Sequence, residues 1–312
     1  MVNLSTQIGN ITLSNPVMPG SGTFGEGMAQ VIDITKLGGV VTKTITRDVR
    51  QGNPPPRVAE LRESTLFSIG IPSNGSDDYI NSTVPFYLPY GVPIIASISA
   101  DTVEDFHELA AQISVPGVSA IEINVSCPNL KKDGEAFGMS AESTYEVMKA
   151  VKAATKTPCW TKLTPNVGNV SEVAIASEEA GADALVVANA ILGMAIDTST
   201  RTPRVANLMG GLTGNACKPI NLRMAYQCVQ AVDIPVIGCG GISTTEDALE
   251  YLIAGCAAIQ VGTANFLSPN TMLTIIEGLK EYCKARDIQA ISEVVGSLQP
   301  YSSEKLPISA GL

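Results

Sequence analysis

At 312 residues, 45% hydrophobic and with a formal net charge of −10, the chain has ample apolar material for a core. Its charge has the wrong sign for a nucleic-acid surface, which needs clustered Lys and Arg to displace counterions from phosphates. The longest charge-free apolar run, Ala184 to Ile196, falls short of the roughly 20 residues that cross a bilayer, and the N-terminus shows no signal-peptide pattern. A soluble cytoplasmic protein, one domain over residues 1–312 without membrane or nucleic-acid partners, is therefore expected.

The chain opens with Thr6-Gln-Ile-Gly-Asn-Ile-Thr-Leu-Ser14, which reads as a small hairpin. Short β-branched runs then alternate with amphipathic stretches to the C-terminus, the pattern of an α/β fold. Parallel strands are expected at 16–19, 40–44, 94–97, 120–125, 159–163, 184–188, 236–239 and 258–261. Those at 40, 184 and 258 follow glycines placed to end a helix (Gly38-Gly39, Gly181, Gly255), and those at 94, 159 and 236 follow a proline. Eight such units close best as a (β/α)8 barrel, an α/β TIM barrel with the hairpin capping its amino-terminal end. A doubly wound sheet is the runner-up. The stretch 294–312, rich in Ser and Pro, reads as a tail or a contact arm.

Seven cysteines, Cys127, Cys159, Cys217, Cys228, Cys239, Cys256 and Cys283, include no C-x-x-C pair, so neither a metal site nor an iron–sulfur cluster is expected and most read as small buried hydrophobes. The lone histidine, His107, falls in the helical stretch 103–113, which argues against a Ser-His-Asp or Cys-His unit.

In a barrel, chemistry collects where strands meet the following loops. The candidates are Ser21-Gly22, Lys43-Thr44, Ser97, Asn124 with Cys127 and Asn129, Lys162 with Thr164, Asn189, Gly240-Gly241 and Gly262-Thr263. The segment Ala120-Ile-Glu-Ile-Asn-Val-Ser-Cys-Pro-Asn129 is the most telling, an apolar strand that breaks with two amides and a thiol at its carboxyl end. Gly238-Cys-Gly-Gly-Ile-Ser-Thr-Thr-Glu246 and Val261-Gly-Thr-Ala264 let backbone amides approach a phosphate, with Ser243 and Glu246 as a capping box. Gly210-Gly-Leu-Thr-Gly214 is read as a third glycine-rich turn; the plainer alternative is that these glycines serve tight turns only. Lys43 and Lys162, each ending an apolar strand, need an anion or a polar ring such as a reduced flavin, anionic at N1, unless they reach solvent at the rim.

From Asn15-Pro-Val-Met-Pro-Gly-Ser-Gly22 through Gly52-Asn-Pro-Pro-Pro-Arg57, Asn124-Val-Ser-Cys-Pro-Asn129, Lys162-Leu-Thr-Pro-Asn166 and Gly210-Gly-Leu-Thr-Gly214 to Gln260-Val-Gly-Thr-Ala264, the chain closely resembles the class 1 dihydroorotate dehydrogenases. It is also similar to the pyrimidine-reducing domain of dihydropyrimidine dehydrogenase. The resemblance implies FMN held by Ser21, Gly22, Lys43, Thr44, Ser97, Asn124, Lys162, Gly214, Gly240, Gly241, Gly262 and Thr263. It places a small ring substrate on Lys43, Phe67, Gly70, Ile71, Asn124, Asn129, Asn189 and Ala190. Cys127 would be the base, helped by Lys43 and Asn124, taking a proton from C5 of the dihydropyrimidine as hydride leaves C6 for the flavin. The loop 130–138 has the length and glycines of a lid that excludes water.

The continuation Glu135-Ala-Phe-Gly-Met139 looks like class 1B, whose barrels form homodimers and pass electrons to a partner subunit carrying FAD and an iron–sulfur cluster. Three positions depart from the orotate pattern: Phe67 and Ser73 stand where the family has asparagine, and Ala190 where it has serine or threonine. Asn74 is placed to compensate for one loss. The alternative function is therefore a related flavin enzyme acting on another dihydropyrimidine or unsaturated ring compound.

Overall fold

The computed structural model describes residues 2–126 and 136–299. Eight parallel strands form one sheet. In chain order they are β1 (Val17–Pro19), β2 (Val40–Val41), β3 (Ile94–Ile98), β4 (Val118–Asn124), β5 (Cys159–Lys162), β6 (Ala184–Val187), β7 (Val236–Cys239) and β8 (Ala258–Val261). All eight lie at the positions read from sequence. Sequential strands are neighbours throughout, β1 pairs with β8, and Gly38 N–H donates to Val17 O at 2.9 Å, which draws β2 against β1 and closes the ring. This is a (β/α)8 barrel, not the doubly wound sheet.

Strand β6 shows why the runs are apolar on both faces: Ala184 and Val186 point into the barrel, while Leu185 and Val187 pack against the outer helices. The inner cluster holds Met18, Val41, Ile95, Trp160 and Ile237, and it also takes Ile8 and Leu13 from the hairpin Thr6–Ile8/Ile11–Leu13. Both hairpin side chains are fully buried, and Thr6 Oγ1 donates to Ala257 O at 2.9 Å, just before β8. The hairpin thus plugs the amino-terminal end, as expected.

Two of the helix-ending glycines behave as such, Gly181 at φ +98° and Gly255 at φ +109° after the helices Val170–Glu179 and Thr245–Ile253. Gly38 does not. It is needed for close approach, because a Cβ there would stand 2.0 Å from Asn15 O. Residues 294–299 are no free arm: Val294 is buried in the outer core and Gly296 N–H donates to Leu252 O at 3.0 Å, while 300–312 lie outside the described residues.

A second, antiparallel sheet follows the carboxyl ends of β2 and β6, in the order Ile191–Met194, Met209–Thr213, Thr65–Phe67, Val58–Glu60. It corrects the reading of Gly210 to Gly214 as a turn. Met209–Thr213 is a central strand, and its glycines let neighbours close in: a Cβ on Gly210 would lie 2.4 Å from Phe67 O, and one on Gly211 would lie 2.5 Å from Ala190 Cβ. Only Gly214, at φ +105°, turns the chain, leading into the helix Lys218–Val229.

Candidate active site at the barrel mouth

Strand alternation aims one polar residue from each of several strands at the carboxyl end of the barrel interior. Lys162 on β5 is buried at 3% exposure, and its ammonium meets Gln260 Oε1 at 3.0 Å, Ser21 Oγ at 3.2 Å and Glu122 Oε1 at 3.4 Å. Burial pulls the Lys162 pKa down, but the Glu122 charge, the thiol of Cys239 and the Glu122 hydrogen bond together hold it above the ordinary lysine value. The alternative of a solvated rim lysine is thereby excluded for Lys162. Glu122 and Gln260 carry no role in the sequence reading; each interrupts an apolar strand, which was the available signal.

Around this ammonium the other candidates assemble. Thr44 Oγ1 and Ser97 Oγ are 3.0 Å apart after β2 and on β3. Lys43 is half-buried, and a Cβ on Gly22 would lie 3.8 Å from its Cδ, so its stem runs beside the Ser21-Gly22 turn. Asn124 Oδ1, at the end of β4, accepts from Asn189 Nδ2 at 3.2 Å and from Ser126 N–H at 3.1 Å. These bonds fix one amide against the other. Thr164 Oγ1 instead accepts from Asn166 Nδ2 at 3.0 Å and so serves its own loop. Cys127, Asn129 and residues 130–135 of the loop 130–138 lie outside the described residues. The end of that loop is anchored, with Phe137 buried edge-on against Phe106 and Gly138 N–H donating to Val125 O at 2.7 Å.

On the other side of the mouth the glycine loops converge. Thr263 Oγ1 donates to Thr213 Oγ1 at 2.8 Å, joining the end of β8 to the Gly214 turn, and Gly20 N–H donates to Val261 O at 2.7 Å. Gly240 (φ +127°) and Gly241 (φ +67°) ride over the start of the helix Lys218–Val229: a Cβ would stand 1.8 Å from Asn221 Nδ2 in the first case and 2.6 Å from Lys218 Cβ in the second. Tyr251 Oη fixes the loop by donating to Gly240 O at 2.8 Å. At Gly262 the nearest atom to a Cβ would be Thr23 Cγ2 at 4.0 Å, so open space faces the backbone there. Backbone N–H groups beside such space suit a phosphate.

The capping box lies one residue further on than Ser243 and Glu246. Thr244 is the N-cap, accepting from Asp247 N–H at 3.2 Å, and Asp247 Oδ2 accepts from the N–H groups of Ser243 and Thr244, each at 2.9 Å. Asp247 also pairs with Lys218 at 2.7 Å. It therefore ties the loop after β7 to the helix after Gly214.

The antiparallel sheet overhangs the mouth. Leu66 points into a small apolar cluster with Ala59 and Val205, so Phe67 faces the other way, where its ring centroid lies 6.0 Å from that of Phe266 after β8. Gly70 (φ +78°) and Ile71 (φ +50°) carry the chain from there to Ser73. The Ser73 hydroxyl accepts from the N–H groups of Thr46 and Gly75 at 3.1 Å each, and Asn74 Nδ2 donates to Asp78 at 3.2 Å. A cavity of about 300 Å³ opens here, lined by Lys43, Thr44, Arg50, Ser73 and Asn74 among others.

His107 lies away from the mouth. His107 Nδ1 is 3.0 Å from Ala150 O in the outer helical layer. Among the described residues six cysteines are buried and unbridged, with burial pushing the Cys159 and Cys228 thiols up to about 12. Among the described residues no cluster could hold a metal ion, and no helix is long and apolar enough to cross a membrane. Converging glycine loops with open space at Gly262 on one side and a buried ammonium beneath the centre fit a flavin mononucleotide.

Residues 3–283 match the family model described as dihydroorotate dehydrogenase. The chain is 46% identical over 300 residues to the dihydroorotate dehydrogenase B (NAD(+)), catalytic subunit, of Thermoanaerobacter sp. (strain X514), covering 96% of this chain and 99% of that protein. The proteins of the same description from Geotalea uraniireducens (44% over 299 residues, 95% and 98% covered) and Bacteroides thetaiotaomicron (41% over 302 residues, 96% and 100% covered) are also similar.

Proposed function

We infer, from the premise that the chain belongs to the dihydroorotate dehydrogenase family, that it is an FMN-dependent oxidoreductase converting dihydroorotate to orotate in pyrimidine biosynthesis. The observation that carries this reading is the convergence of the glycine loops and the buried Lys162 at a single mouth. FMN, when bound as a single-domain barrel's resident group, supplies the hydride acceptor. The chain's own residues do the rest. Gly214, Gly240, Gly241, Gly262 and Thr263 would hold the phosphate, and Ser21, Gly22, Lys43, Thr44, Ser97, Asn124 and Lys162 the ring.

The paired amides of Asn124 and Asn189 offer fixed polar edges for a pyrimidine ring, because each already holds the other's orientation. Lys43 supplies a cation at the same opening. Cys127 takes the proton from C5 while the hydride departs from C6, leaving the ring C5–C6 double bond. A thiol suits the task because both its states are accessible near neutral pH. The described relatives are catalytic subunits named for NAD(+). That supports a class 1B assignment, a homodimer joined by a partner subunit carrying FAD and an iron–sulfur cluster.

Anaerobic stopped-flow of the purified yellow protein with dihydroorotate tests the reading: rapid loss of the oxidised flavin band supports it. A flavin that dithionite reduces and dihydroorotate does not would overturn it. In that case the second reading gains, a different reduced pyrimidine or a less polar ring. It is favoured by Phe67 at the mouth and by the hydrogen bonds that the Ser73 and Asn74 side chains make within the protein itself.

A further inference from the structure

The charged pair inside β4 and β5 takes no part in the proton and hydride steps, yet it is costly to build. An ammonium and a carboxylate in a barrel interior each cost several kcal/mol unless their partners are complete. Here they are complete. Lys162 has three N–H donors, and Gln260, Ser21 and Glu122 supply three acceptors within 3.4 Å. Glu122, at 0% exposure, uses both oxygens, Oε1 toward Lys162 and Oε2 accepting from Gln260 Nε2 at 2.6 Å. Gln260, also at 0%, is thereby oriented with its carbonyl toward the ammonium.

The consequence is directional. Glu122 and Gln260 hold the ammonium from fully buried positions on β4 and β8, while Ser21 is half-buried on the turn after β1. Two of the three N–H groups are anchored in the interior, and the third points toward the mouth. An isolated lysine with four rotatable carbons would hold no such aim.

We propose that Glu122 is a positioning residue, which directly and through Gln260 fixes Lys162 as a permanent cation presented to the mouth, so that negative charge arriving on a reduced cofactor always meets it. This role rests on the FMN reading above. The groups facing Lys162 from the packed elements are Glu122 on β4, Cys239 on β7, Gln260 on β8 and Ser21 after β1. Burial pushes the Cys239 thiol up, and Glu122 is the carboxylate paired with the ammonium. Without that anion, desolvation is unopposed and the lysine loses its proton at lower pH.

The test uses holoprotein carrying Glu122→Gln, which keeps the shape and removes the charge, and which leaves one acceptor oxygen where Glu122 uses two. The flavin midpoint potential is measured against pH by spectroelectrochemistry. The wild type is expected to show no inflection from Lys162 below the ordinary lysine range, whereas the variant gains one, and Glu122→Gln combined with Lys162→Met loses it again. Identical profiles for wild type and Glu122→Gln, with FMN bound in both, would overturn the role and leave the FMN reading standing; a chain that takes up no FMN overturns both. A measurement that does not need the Glu122 variant decides the matter if that variant does not fold. In holoprotein labelled with [15N]lysine, the Lys162 amine, assigned by its loss in Lys162→Met, should still be fully protonated near pH 10, about where an ordinary lysine is half titrated. A neutral amine at that pH refutes the proposal.

Discussion

Substituting Gly240 by alanine is the sharpest probe of the phosphate side of the mouth. Two costs add. The backbone at φ +127° lies where an L side chain is strained by about 1–3 kcal/mol. The new methyl would also fall 1.8 Å from Asn221 Nδ2, and Asn221 is buried at 3% exposure, so it cannot swing into solvent. Overpacking of that kind costs about 1–3 kcal/mol. A total of about 2–6 kcal/mol corresponds to a fall in Tm of roughly 3–9 °C by differential scanning calorimetry, at about 2.1 cal/mol/K of unfolding entropy per residue. The displaced loop also loses donors to the phosphate. One hydrogen bond to a charged group, about 1.5–3 kcal/mol, weakens FMN binding by about 10- to 150-fold, read from the quenching of flavin fluorescence. Adding Asn221→Ala should recover the packing share and leave the backbone share. Gly27→Ala is the control, since nothing lies within 4 Å of a Cβ there. A Gly240→Ala protein that melts with the wild type and binds FMN within twofold would refute the argument.

Four further outcomes are expected. Cys127→Ala should slow flavin reduction by dihydroorotate about 100- to 10,000-fold while FMN affinity changes little; equal losses in both would remove Cys127 from the proton step. For Asp247, burial raises the pKa, but the hydrogen bonds from Lys218, Ser243 and Thr244 outweigh it and hold the carboxyl below the ordinary range. Its contribution is therefore present above about pH 4 and lost as pH falls through its lowered folded value, so urea titrations should show wild type and Asp247→Asn converging only in that acid window. Ile8→Ala, which opens a hole in the plug, should cost about 2–5 kcal/mol in urea melts and leave the FMN dissociation constant unchanged. Asn189→Ala frees Asn124 Oδ1 from one of its two donors and should raise the KM for dihydroorotate more than it lowers the melting temperature; the reverse pattern would make the amide pair a structural clamp.

The barrel was legible because its strands are buried on both faces and punctuated by Gly or Pro, a signal confined to a few adjacent residues. The overhanging sheet was not, since its strands are three to five residues long and pair positions far apart in the chain, such as Phe67 with Gly211. Its glycines look like turn glycines until the partner strand is known. The cap after β7 was misplaced by one residue because Ser243/Glu246 and Thr244/Asp247 share the same spacing, and only Lys218, brought in by the fold, favours Asp247. Glu122 and Gln260 escaped notice for a related reason. One polar residue in an apolar strand carries no message alone, and its meaning appears only when β4, β5 and β8 place three of them within hydrogen-bonding reach.

The plug made by Ile8 and Leu13 has a kinetic consequence. With one end of the cylinder filled and stoppered, every solute must arrive and depart through the other. A reductant and an oxidant that share a single doorway either take turns at it or reach its contents from different sides. The first arrangement gives alternating half-reactions and parallel lines in double-reciprocal plots; the second allows a seated partner to drain electrons while small molecules come and go.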